Sequence, residues 1–76
     1  MDEEVCRIIA AALEVKHVTP EDSMDTVEGW DSLGTLNVLM ALENRYGPKV
    51  ATISDLAQVS SVKEILGLLR REAIIT

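Results

Sequence analysis

Asp31-Ser32-Leu33-Gly34-Thr35-Leu36-Asn37-Val38-Leu39-Met40-Ala41-Leu42-Glu43-Asn44-Arg45-Tyr46-Gly47-Pro48 decides the fold, because it carries both ends of one helix and both of its faces. Aspartate and serine compete at its start for the capping position, where a side-chain oxygen takes up a free backbone amide. Glycine followed by proline stops it, which predicts a helix from about Ser32 to Tyr46. At about 100° per residue, Thr35, Val38, Leu39, Leu42 and Tyr46 share one face, and Leu33, Asn37, Met40 and Asn44 line the opposite one. The first face reads as core. The second leaves Leu33 and Met40 exposed beside Ser32, and apolar groups rimmed by polar ones mark contact surfaces. Methionine suits partners of varied shape.

Outward from this helix the chain stays helical. Val5, Ile8, Ile9, Ala12 and Leu13 recur at helical spacing behind Asp2, Glu3 and Glu4, which suit the positive end of a helix dipole; this first helix is expected to end near Lys16. From His17 to Asp31 no period is sustained. Thr19-Pro20-Glu21-Asp22 and Glu28-Gly29 are turn chemistry, so a long ordered loop is predicted, with at most one helical turn after Thr19. Connections of this length in small domains tend to be functional. Beyond Pro48, Thr52 or Ser54 caps a short third helix holding Asp55, Leu56 and Ala57. Ser61 and Glu64 form a capping box for the last helix, whose stripe is Val62, Ile65, Leu66, Leu69 and Ala73. Leu68, Ile74 and Ile75 lie off that stripe or beyond it. With no repeat and no strand-like alternation, the chain reads as all-α: three longer helices, one short one, and a long loop between the first two.

The 76 residues suit a single domain over 1–76 with one small core. A domain of that size buries only about 60% of the surface its unfolded chain exposes. The one cysteine, Cys6, has no bridging partner, and no secretory segment is seen at the amino terminus, so a reducing cytoplasmic setting is expected. No apolar run approaches the roughly 20 residues that span a bilayer. Thirteen acids against seven bases give a net charge of -6, which argues against nucleic acid as partner and against a helix-turn-helix reader. Basic protein surfaces fit better. Glu21, Asp22, Asp25, Glu28 and Asp31 crowd the stretch before Ser32 without an intervening lysine or arginine.

Capping alone would account for a serine at position 32. A triad would need a base, and the single histidine, His17, lies across the acidic loop. There is no nucleophile elbow, no phosphate-cradling glycine loop, and no second histidine or cysteine for a transition metal. The loop acids miss the spacing of a calcium loop, so only weak adventitious binding is expected. His17 reads as a helix-end residue near a dipole's negative pole. Cys6 reads as a buried or inert thiol. Trp30 is expected to pin the loop against the second helix with its N–H partnered. Two features favour a modified serine: the exposed apolar pair beside it, and a helix amino terminus, where a phosphodiester is well accommodated.

Asp31-Ser32-Leu33, followed at fixed distance by Leu42-Glu43 and Tyr46-Gly47 in a small acidic chain, resembles the attachment segment of acyl carrier proteins and related phosphopantetheine-binding carriers. The likeness covers essentially the whole chain and implies a small four-helix bundle of the acyl-carrier type. It implies that Ser32 carries a covalent 4'-phosphopantetheine arm placed by a phosphopantetheinyl transferase, with Asp31 helping to present the serine. It further implies that Leu33, Asn37, Met40 and Glu43 face partner enzymes. The expected function is transport rather than catalysis: a monomer would carry an acyl or aminoacyl thioester from an activating ligase to transferases or synthases of fatty acid, polyketide or related biosynthesis. Gly34, Asn37, Asn44 and Arg45 stand where fatty-acid carriers usually have carboxylates, leaving Glu43 alone on the helix. That departure, and Trp30, point to a specialised standalone carrier or a peptidyl carrier of a nonribosomal pathway. The alternative from the residues alone is an unmodified helical interaction module.

Overall fold

The computed structural model describes residues 2–76. Three α-helices form: α1 (Asp2–Leu13), α2 (Ser32–Tyr46) and α3 (Val62–Arg71). The described residues contain no strand, only an isolated antiparallel bridge between Ser23 and Ser61. Among them no helix is long and apolar enough to cross a membrane. α1 packs chiefly on α2, and one cluster of buried side chains runs through all three helices. Val5 and Ile9 of α1, Val38 and Leu42 of α2, and Val62, Ile65 and Leu69 of α3 are fully enclosed there.

The carboxyl ends of α1 and α3 differ from expectation. α1 stops at Leu13 rather than near Lys16, because Glu14 takes a left-handed backbone, φ 60°. Its amide donates to the Ala11 carbonyl at 3.2 Å and the Val15 amide donates to that of Ala10 at 3.0 Å. This is a Schellman termination without its usual glycine. α3 ends the same way at Ala73, φ 59°, with the Ile74 amide donating to the Leu69 carbonyl at 2.9 Å. Ala73 is therefore exposed and off the core stripe. The chain turns back instead and buries Ile75, which the periodicity left without a role. A side chain in the left-handed region costs about 1 kcal/mol that glycine avoids. Glu14→Gly is expected to raise the thermal midpoint by several degrees in a calorimetric scan, the shift that about 1 kcal/mol gives a domain this small; an unchanged or lower midpoint would remove the strain argument.

Where one short helix is expected, two five-residue 3-10 turns form, Pro48–Thr52 and Ser54–Gln58. The Thr52 hydroxyl caps nothing ahead of it and donates back to the Lys49 carbonyl at 2.6 Å. The reason for the tighter winding lies in the burial pattern. Val50, Ile53, Leu56 and Val59 are all buried, and a repeat of three puts them on one edge only at three residues per turn.

Polar ties fix the ends of the helices. The Tyr46 hydroxyl donates to Glu4 Oε1 at 2.7 Å and Arg45 donates to Glu4 Oε2 at 2.8 Å, joining the end of α2 to the start of α1. The Arg45 guanidinium also lies 5.2 Å from the Tyr46 ring centre. These donors hold the Glu4 carboxyl below its ordinary range. Burial, and then the hydrogen bond to Glu4, push the Tyr46 hydroxyl from 10 up to about 12. A proton held more tightly in the folded state contributes stability that is fully present below the unfolded value, and the contribution fades as pH rises from about 10 to 12. The chain has one tyrosine, so tyrosinate absorbance reports it alone. Its midpoint is expected near 12 in the native protein and lower in Glu4→Gln; a native midpoint at 10 would contradict the contact.

Candidate attachment site

The competition at the start of α2 is resolved by geometry. Asp31 has extended backbone and its carboxylate accepts from the Gly34 amide at 2.9 Å, so aspartate is the cap. Ser32 becomes the first helical residue, exposed, and among the described residues its hydroxyl makes no hydrogen bond. Gly34 lets the preceding loop come close: a Cβ there would sit 2.9 Å from Leu13 Cδ2 and 3.3 Å from the Gly29 carbonyl oxygen. Trp30 is buried beside it, and its indole N–H donates to the buried Thr35 hydroxyl at 2.9 Å. The expected pin between loop and helix is thus present.

The loop leading to this point is held by its own side chains. Asp22 accepts from the Thr19 amide at 2.8 Å and the Thr26 hydroxyl at 2.8 Å, bonds that lower its carboxyl's affinity for a proton. The Met24 amide donates to the Ser60 carbonyl at 2.8 Å and the Val62 amide to that of Asp22 at 3.0 Å, which lash the loop to the start of α3. There Ser61 caps the helix as expected, while Glu64 accepts from the Ser60 amide, one residue before the cap.

Leu33, Asn37, Met40, Glu43 and Asn44 are all exposed along α2. Leu33 is 65% and Met40 55% exposed, and Leu36, which the two-face reading assigned to neither side, is 51% exposed between them. Three apolar side chains therefore form a strip running from Ser32 along the helix. Its signal was the spacing of three from Leu33 and four to Met40. Gly34, by contrast, is buried, and Arg45 is engaged by Glu4, so neither offers a free surface group.

Other candidates lie elsewhere. His17 is exposed beyond the last turn of α1 rather than at the helix end, and lines a separate depression with Cys6 and Arg7. Cys6 is buried, and burial together with Asp2, Asp22 and Glu3 raises its thiol, which disfavours the reactive thiolate. Glu21 pairs with Lys63 at 3.0 Å.

A hydroxyl placed as Ser32's is suits a phosphodiester. The amides of Ser32 and Leu33 have no acceptor among the described residues, and the positive end of the α2 dipole lies there. The other serines are less suited. The hydroxyls of Ser23, Ser60 and Ser61 are engaged by Asp25 or Glu64, and Ser54 opens a 3-10 turn of only five residues.

The sequence model of a family described as phosphopantetheine attachment site matches residues 3–69. The chain belongs to that family. The resemblance drawn from Asp31-Ser32-Leu33 is thereby borne out, and 4'-phosphopantetheine is the covalent cofactor. Phosphopantetheine carriers meet a modifying transferase and biosynthetic enzymes, and the all-helical architecture is compatible with theirs. No curated protein and no solved structure matches the chain significantly.

Proposed function

We propose that residues 1–76 form one non-catalytic carrier domain, cytoplasmic and monomeric, that holds an acyl or aminoacyl group as a thioester on a phosphopantetheine arm attached to Ser32. The observation that carries this reading is the division of labour at the start of α2: Asp31 caps the helix, and the Ser32 hydroxyl is left exposed and unbonded at its amino terminus. The arm supplies the thiol that bears the cargo. The chain's own part is to present the hydroxyl to a transferase, steady a phosphodiester with the Ser32 and Leu33 amides, and offer a docking face. No base is needed within this chain, because the transferase supplies it.

Leu33, Leu36 and Met40 give that face its apolar area, with Asn37 and Glu43 at the rim. With Gly34 buried and Arg45 neutralised by Glu4, α2 has little charge to steer an encounter, which supports a specialised carrier over a fatty-acid one. Met40→Glu, at an exposed position, is expected to leave the thermal midpoint nearly unchanged and to lower partner turnover at least tenfold. Unchanged partner kinetics would remove Met40 from the face.

The attachment itself is tested by intact mass. The unmodified chain, incubated with coenzyme A and a broad-specificity phosphopantetheinyl transferase, is expected to gain one phosphopantetheine. An unchanged mass would leave the unmodified interaction module as the better reading.

A further inference from the structure

Residues 16–20 lie alongside α1 once Glu14 has turned the chain, and the space between them is a depression of about 380 Å³. Small-molecule pockets run from roughly 300 to 1,000 Å³, so the size suits a ligand. Cys6, Ala10 and Val18, all buried, give it an apolar floor. Arg7, Lys16 and His17, all exposed, stand around it.

The charge at this place departs from the pattern of the rest of the chain. Five of the seven bases have acceptors within it: Arg45 on Glu4, Lys63 on Glu21, Arg70 on Asp2, Arg71 on Asp55 and Glu72, and Lys49 on the Glu72 carbonyl. Among the described residues Arg7 and Lys16 alone have none, and both border this one depression. With thirteen acids in the chain, two unmatched bases at the same cavity point to an acceptor from outside. The neighbouring charges are mostly taken. Asp2 is engaged by Arg70, and His17 is drawn to Asp22, whose carboxyl it helps keep ionised. Glu3 is the one acid on the border without a partner among the described residues. Two free cations against one free acid, over an apolar floor, favour an anion with an apolar body.

We propose that this depression binds a small amphipathic anion, a carboxylate or phosphate monoester whose head is held by Arg7 and Lys16 and whose short apolar tail rests on Cys6, Ala10 and Val18. The guanidinium can grip either head with two parallel hydrogen bonds, and the ammonium adds a point charge. Cys6 serves here as apolar surface rather than as a nucleophile. The site shares no residue with the start of α2, so its occupation is independent of the arm.

The test follows isotope-labelled full chain by nuclear magnetic resonance during titration with hexanoate and with hexyl phosphate. Saturable shifts are expected at Cys6, Arg7, Ala10 and Val18, and the head that binds more tightly identifies the ligand's own. Hexanol keeps the tail and drops the charge, so it is expected to bind about tenfold more weakly, the product of two exposed charge contacts of about threefold each. Inorganic phosphate keeps only the charge and is expected to give no saturable shift at Val18. Arg7→Gln and Lys16→Gln, at exposed positions, are each expected to weaken binding about threefold with the thermal midpoint kept, and Glu3→Gln to strengthen it. Hexanol binding as tightly as hexanoate and hexyl phosphate would reduce the site to an apolar dent and overturn the proposal. Shifts that never saturate with either anion, or unchanged binding in both glutamine variants of the bases, would overturn it equally.

Discussion

Ser32→Ala is expected to abolish the gain of phosphopantetheine completely, while shifting stability by no more than about 0.5 kcal/mol. Both halves follow from the same geometry. The serine hydroxyl bonds nothing in the chain, and the helix is capped by Asp31 through Gly34, so its loss removes no structural bond. Alanine in the first turn is a good helix former, which makes thermal unfolding a clean control for an intact fold. A fold kept and a modification lost is the pattern that assigns the site. Modification of the variant would move attachment to another hydroxyl, with Ser54 the next candidate because those of Ser23, Ser60 and Ser61 are engaged. A loss of about 1 to 2 kcal/mol would instead mean that Ser32 takes part in capping.

The contrast between what the sequence disclosed and what it concealed follows the physics of each signal. α2 was readable from end to end because both of its boundaries use ordinary chemistry, an acid at the cap and Gly47-Pro48 at the stop. The start of α3 was readable for the same reason, through Ser61 and Glu64. Its end and that of α1 were not, since Glu14 and Ala73 occupy left-handed positions where a reader looks for glycine. The link after α2 offers candidate caps, Thr52 and Ser54, but its winding follows a different signal. Val50, Ile53, Leu56 and Val59 repeat every three residues, which a template of 3.6 spreads around a helix and a 3-10 turn gathers on one edge. Along α2, Leu33, Asn37, Met40 and Asn44 are exposed, as the two-face pattern has them. Leu36 escaped it because it sits at the seam between faces, where only packing decides which side is covered.

Trp30→Ala is expected to destabilise the protein by about 3 to 5 kcal/mol, the range for truncating a large buried aromatic. Set against a total of about 4 to 11 kcal/mol for a chain of this length, that would leave little of the native state. The size of the effect comes from position as well as volume. Trp30 is 4% exposed, its amide donates to the Val27 carbonyl at 3.2 Å, and its ring lies against the site of Gly34. It therefore fills the core at the junction where the long loop becomes α2, and alanine would leave a cavity that neither element can close alone. Thr35→Val separates the polar share from the volume. The substitution keeps the shape but strands the buried indole N–H, which costs about 1 to 3 kcal/mol. Because the chain has one tryptophan, fluorescence cannot follow both proteins, and urea unfolding watched by far-ultraviolet circular dichroism is the common measure. A loss below about 1 kcal/mol for Trp30→Ala would show that the loop holds its course without the ring. The anchoring of the Ser32 junction would then rest on Asp22, Met24 and their bonds to the start of α3.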